Sequence, residues 1–341
     1  MPVPTTDRSL SQALQQIAAV FDIDALLQQH HDRQSRSAQS QTIDPISEPI
    51  ASGAALKQEI VRYYQQSEIG YRKYHSQQGS IHMAIDDGTR YEPSGYYTQP
   101  KQVAEHVRAL QARSVLEVGC GKGFNSRFLA QTFPDVQFLG LDLTPLHVRL
   151  ASRAARLYEN LQFRLGDFNQ TGLAANGTDL VFGVDCLCHA ASVSAVLTEL
   201  YRVLRPGGRL TIFDGFRRPG FDRQTSDLQT ASQLVEIGMA VPMGFRTVEA
   251  WLEAARSLGF TAVETRDRTA GILPTLDRLQ ALALRFFKHP WRARLLKFWM
   301  PPYLIRNSVA GLLMPYTCTL DSGTHSYYQL VLEKSAAPSD R

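Results

Sequence analysis

Val115-Leu116-Glu117-Val118-Gly119-Cys120-Gly121-Lys122-Gly123 runs an apolar strand into three alternate glycines. Asn125–Phe133 then carries helical apolar spacing. Glycines at such a turn let the backbone bend sharply and let a ligand approach it without a Cβ in the way. A ligand there sits beyond the carboxyl end of a strand, against a helix N-terminus. The spacing G-x-G-x-G differs from the dinucleotide pattern G-x-G-x-x-G, whose third glycine comes one residue later. A merely structural tight turn is the competing reading.

Outward from this turn, strands and helices alternate. Strands are expected at Ser114–Val118, Gln137–Asp142, Leu161–Leu165, Leu180–Val184, Arg209–Asp214, Phe260–Asp267 and Ser326–Glu333. Helices are expected at Lys101–Gln111, Asn125–Phe133, Pro145–Tyr158, Val193–Leu204 and Thr247–Leu258, the last ended by Gly259. Arg205–Gly208 reads as a turn. The alternation predicts an α/β fold with a doubly wound, Rossmann-like sheet and right-handed crossovers. Residues 9–30 and Ala54–Gln66 carry helical spacing, and residues 31–50, rich in Gln and Ser, read as a linker. The domain reading is a helical extension and lid over 1–100, a core over 101–269, a helical substrate-lid insertion over 270–315, and a last strand with tail over 316–341.

The chain has 341 residues, a formal net charge of +4 and 44% hydrophobic residues. So small an excess of positive charge argues against a nucleic-acid partner. Cys120, Cys186, Cys188 and Cys318 have no C-x-x-C pairing, so no metal site is expected, and reduced thiols point to a cytoplasmic setting. The start MPVPTTDRSLSQ lacks a basic-then-apolar leader, and no apolar run reaches the ~20 residues that span a bilayer.

Two acids close neighbouring strands. Asp142, before Leu143, can accept both hydroxyls of a ribose, or else cap the helix from Pro145, a role that suits Thr144 better. Asp167, in Gly166-Asp167-Phe168, can accept from an adenine amino group with Phe168 flanking the base, or else close a simple turn.

The series EVGCGKG, LDL, GDF and LRPGGRL, across about residues 101–215, resembles the class I S-adenosylmethionine methyltransferases. The resemblance implies a seven-stranded sheet with an antiparallel last strand, an N-terminal helical cap and a helical insertion before that strand. It implies S-adenosylmethionine as cofactor. Glu117 and Gly119 would lie by its methionine part, with Cys120, Gly121 and Gly123 completing the turn. Asp142 and Leu143 would lie at the ribose, and Gly166, Asp167 and Phe168 at the adenine.

Val184-Asp185-Cys186-Leu187-Cys188-His189-Ala190, with the upstream Tyr71, Tyr74 and Ser80-Ile81-His82-Met83, is similar to the sterol C-methyltransferase and tocopherol methyltransferase group. That likeness implies a small, largely apolar acceptor, such as an isoprenoid or a sterol-like molecule, and favours methylation of carbon. This chain departs from it by carrying Asp185 where sterol enzymes carry Glu. His189 and His82 are the candidate bases, with Asp185 as electrostatic partner, and Asp185 is also a candidate for the cofactor's methionine part. Tyr71, Tyr74 and Tyr97 are candidate faces for a developing cation. The same tyrosines and His82 equally suit ordinary packing. Methylation of oxygen or nitrogen, and a non-catalytic cofactor-binding partner protein, are the alternatives. Finally, Arg285-Phe286-Phe287-Lys288-His289-Pro290-Trp291 through Arg306 interleaves basic and aromatic residues without an acid. Such a stretch suits a peripheral membrane contact, or a lid helix with a solvated face.

Overall fold

The structure is a computed structural model that describes residues 9–43 and 50–335. The chain forms two compact units. One combines Glu68–Arg217, Phe245–Thr275 and Ser326–Arg341; the other combines Met1–Ser67, Arg218–Gly244 and Leu276–His325.

The first unit is built on seven strands: β1 (Ser114–Val118), β2 (Gln137–Asp142), β3 (Leu161–Leu165), β4 (Thr178–Val184), β5 (Leu204–Arg217), β6 (Phe260–Asp267) and β7 (His325–Lys334). Their order is β3-β2-β1-β4-β5-β7-β6. β1 pairs in parallel with β2 and β4, and β6 pairs antiparallel with β7. The order reverses across β1 and β4, so their carboxyl ends flank the crevice where open α/β sheets take ligands. The core packs Leu116, Val118, Val181, Leu210 and Ile212 of the sheet with Leu197 and Leu200 of helix Val193–Val203 and Trp251 of helix Val248–Ser257. Ser192 and Thr247 cap those two helices by accepting from the N–H of Ala195 and Ala250.

Four strands keep their expected bounds, and the differences elsewhere have local causes. The Arg205–Gly208 turn lies inside β5: Leu204 pairs Thr178 and Arg209 pairs Leu180, so the turn bulges out of the ladder between them. The Asp179 carboxylate ion-pairs with Arg205 and accepts from the N–H of Arg113 and Ser114, which anchors the bulge to the start of β1. Thr144 makes no side-chain cap; helix Pro145–Ala155 opens on its proline instead.

The second unit is helical. The expected 9–30 helix breaks after Ala18, and a new helix, Ile23–Ile43, runs through residues read from sequence as a linker; 44–49 lie outside the described residues. Helix Ser226–Gly238, which the sequence reading missed, packs on helix Pro302–Thr317, the third of three helices with Thr269–Phe287 and Pro290–Trp299. A Cβ on Gly238 would meet the Arg306 carbonyl at 2.8 Å, so only glycine permits so close a crossing. Buried Glu236 lies 3.6 Å from the rings of both His30 and His325.

Candidate active site

The glycine turn follows β1 with Gly119, Gly121 and Gly123 at φ of 63°, 52° and 74°. Each glycine is needed twice over, for its left-handed backbone and for space. A Cβ would meet Cys186 at 2.3 Å from Gly119, Ile81 at 2.5 Å from Gly121 and the Phe163 ring at 2.3 Å from Gly123. Packing alone therefore demands the pattern. The Cys120 N–H reaches the Leu141 carbonyl at 2.9 Å. The Gly121 N–H donates to Asp142 Oδ2 at 2.8 Å, and the Thr144 N–H to Oδ1 at 2.8 Å. The buried carboxylate of Asp142 thus ties the turn to the end of β2, and each oxygen keeps a lone pair beyond these bonds.

His147 lies 3.6 Å from Asp142 and 3.7 Å from Glu68, whose other oxygen is 3.3 Å from Lys122. Burial pushes Asp142 up, but the imidazole and the two N–H donors outweigh it and hold the carboxyl below its ordinary range. Burial likewise opposes the charge on His147, and the two carboxylates overcome it and raise its pKa. Glu68, Lys122 and His147 carry no motif of their own; the one sequence clue is a histidine in the helix that follows Asp142.

Glu117 is the penultimate residue of β1 and is buried in the core. Its Oε1 accepts from Asn125 Nδ2 at 3.0 Å, and its Oε2 accepts from the backbone and hydroxyl of Ser126. Burial pushes it up to about 7. Asn125 Oδ1 faces His82 Nε2 at 3.0 Å, while His82 Nδ1 faces the Met83 carbonyl at 2.9 Å. Burial lowers His82 to about 4, so a neutral ring with one N–H is set between two acceptors. A proton on Glu117 would remove the mismatch, with the Asn125 amide turned over to accept from Glu117 and donate to His82 Nε2.

Asp185 follows β4 at φ 50°, a strained left-handed position for a residue with a side chain. Its Oδ2 accepts from the Met83 N–H at 2.7 Å, which joins the Ser80–Met83 stretch to the end of β4. Asp214 of β5 accepts from the N–H of Leu187 (2.8 Å), Cys188 (3.0 Å) and Gly215 (2.8 Å). Burial, then the Asp214 charge, pushes Asp185 up to about 8. Burial also pushes Asp214 up to about 6, so Asp185 is the more easily protonated of the two acids. His189 is buried in the short helix Leu187–His189 that follows. Cys120, Cys186 and Cys188 are raised well above the ordinary thiol range by burial, so none is a ready nucleophile.

The aromatic segment forms a chain of rings. Tyr71, in a π-helical turn, meets His75 at 5.4 Å; His75 meets Tyr96 at 5.6 Å; Tyr96 meets His82 at 5.9 Å. Tyr97 packs on Phe124 and Phe128. Tyr74 is half exposed, with Lys73 over its ring at 5.3 Å. Both His82 nitrogens face partners, the Met83 carbonyl and Asn125. Asp167 Oδ1 accepts from the backbone and side chain of Asn169, each at 2.8 Å, and so closes a turn at the end of β3.

Residues 116–212, from β1 into β5, match the family described as "Methyltransferase domain". The sheet unit carries a methyltransferase domain and resembles the class I S-adenosylmethionine methyltransferases. It resembles the sterol C-methyltransferase group: the chain is 29% identical to a sterol 24-C-methyltransferase of Neurospora crassa over 52% of this chain and 48% of that protein. The chain thus spans about half the length of the sterol relatives it matches. A relative of wider reach is an S-adenosyl-L-methionine-dependent Diels-Alderase of Talaromyces variabilis, 27% identical over 70% of this chain and 85% of that one. Among solved structures, the [4+2]-cyclase SpnF shares the fold of the methyltransferase domain, with TM-score 0.67 and 18% identity over 82% of this chain and 97% of that chain.

Proposed function

We propose that the protein binds S-adenosylmethionine and transfers its methyl group to carbon of a small, largely apolar acceptor of isoprenoid or sterol-like character. The observation that carries this reading is Asp142, a depressed carboxylate at the end of β2 bonded to the glycine turn of β1. The donor set fits the cofactor. Asp142 keeps lone pairs for two ribose hydroxyls, Leu143 follows it, and Gly166, Asp167 and Phe168 close β3 where the adenine would lie. Glu117, with Gly119 and Cys120, lies at the end of β1 where the methionine part would lie, and Asp185 follows β4 beside it.

Bound S-adenosylmethionine supplies an electrophilic methyl on a sulfonium. The chain's own residues bind and orient. Alignment of acceptor and methyl can lower the barrier by roughly 7–11 kcal/mol at best. His189, next to the end of β4, is assigned as the base that takes the proton from the methylated carbon, and Tyr71 as a face for the developing cation. Asp185 is assigned as the electrostatic partner of that base. His82, with both nitrogens engaged, positions Met83 rather than meeting the acceptor.

The expected result for His189→Ala is turnover lowered by roughly 10²–10⁴ at unchanged cofactor affinity, read by single-turnover kinetics with methyl-labelled cofactor. Unaltered turnover removes the base assignment. Glu117 gives a pH dependence. Ionised, it attracts the cofactor's ammonium; protonated, it does not. Affinity therefore weakens as pH falls below about 7, by up to about tenfold per unit. Glu117→Gln should flatten that profile in calorimetric titrations. Equal wild-type affinity at pH 6 and 8 would contradict it.

A second reading is cyclisation, with the cofactor present but its methyl retained. It is favoured by the wider match to the Diels-Alderase than to the sterol enzymes. Incubating the protein and labelled cofactor with metabolite extracts separates the two. Labelled product supports transfer, and an unlabelled isomer of a consumed substrate supports cyclisation.

A further inference from the structure

Helix Pro290–Trp299 of the helical unit is turned inside out relative to a surface helix of a globular protein. Trp291, Leu295, Phe298 and Trp299 stand at i, i+4, i+7 and i+8, which places them on one stripe. They are 59%, 56%, 79% and 88% exposed. The residue turned the other way is Ala293, fully buried. The helix therefore buries its smallest side chain and offers its largest to the outside. At ~150–250 Å² per aromatic side chain, the stripe exposes on the order of 500 Å², the size that marks an interaction site.

The charges around the stripe say what covers it. Exposed Arg285 and Lys288 precede the helix, and exposed Arg292 lies beside the stripe with its guanidinium 5.0 Å from the Trp291 ring. No acid occurs between Arg278 and Asp321. Arg294 and Lys297 donate to the carbonyls of Ala19 and Val20, which fixes the helix from behind and leaves its apolar stripe facing out. A second copy of this chain would bring the same cations against themselves. An anionic lipid surface meets both demands, because aromatic rings enter the interface while Arg and Lys reach headgroup phosphates. Among the described residues, no helix is long and apolar enough to cross a membrane.

We infer that helix Pro290–Trp299 docks the protein peripherally on an anionic bilayer, through Trp291, Leu295, Phe298 and Trp299 with Arg285, Lys288 and Arg292 around them. Docking is independent of the cofactor assignment, since its test needs no cofactor. Full-length protein is floated with vesicles of phosphatidylcholine containing about 30% phosphatidylserine, at low salt. The expected result is flotation of most of the protein, reduced about tenfold or more in W291S/F298S/W299S and in R285E/K288E/R292E. Thermal unfolding checks that both variants stay folded. Two of the chain's three tryptophans lie on the stripe while Trp251 is buried, so brominated acyl chains should quench most of the accessible emission. Wild-type protein left unbound at low salt overturns the inference. So does a folded triple-serine variant that floats like wild type. A dimer that this variant dissociates, seen by ultracentrifugation without any flotation, assigns the stripe to self-association and overturns it as well.

Discussion

Asp142→Ala should weaken binding of S-adenosylhomocysteine by at least ~100-fold in a protein that still unfolds cooperatively. Two hydroxyl bonds to a charged carboxylate are each worth about 1.5–3 kcal/mol, and both disappear. The substitution also strips the buried Gly121 and Thr144 N–H groups of their acceptor. Each unsatisfied N–H costs about 1–3 kcal/mol, so the melting temperature falls too. The two effects separate by measurement, since affinity is read below the new melting point. Unchanged affinity in the folded variant would show that Asp142 serves the turn alone. Asp142→Asn keeps the size and part of the acceptor set, and is expected to fall between wild type and Ala.

Gly123→Ala should cost about 2–5 kcal/mol of stability, from roughly 1–2 for a left-handed residue with a Cβ and about 1–3 for overpacking against Phe163. The added carbon would lie 2.3 Å from that ring. Gly123→Ala with Phe163→Leu should recover the overpacking part and none of the backbone part. Chemical denaturation of the single and double variants measures both contributions. A double variant no more stable than Gly123→Ala would show that the ring is not what excludes the side chain.

The sheet was legible because its strands are short apolar runs stopped by turn residues. Ser114–Val118, Gln137–Asp142, Leu161–Leu165 and Phe260–Asp267 need no partner to be recognised. The helical unit was not, because it is assembled from three stretches far apart in the chain. Helix Ser226–Gly238 buries Ala231, Leu234 and Val235 against elements the local sequence does not reveal. Helix Ile23–Ile43 continues through Gln- and Ser-rich residues whose composition suggests a linker. The site divides the same way. Glu117, Asp142 and Asp185 lie at or next to strand ends, and a strand end beside a glycine turn is readable. Asn125, Ser126, His147 and Asp214 matter through contacts to those acids, and only folding makes them neighbours. The raised pKa of His147 follows from Asp142 and Glu68, the latter 79 positions upstream.

On the proposed function, the adenosyl group is held beyond the carboxyl ends of β1 and β2, by Asp142 over the Gly119–Gly123 turn. Titration calorimetry of the full chain with S-adenosylmethionine tests it most directly. The expected result is saturable binding at one site per chain, strongly weakened by Asp142→Ala. Folded protein that takes up neither this sulfonium nor S-adenosylhomocysteine would contradict it.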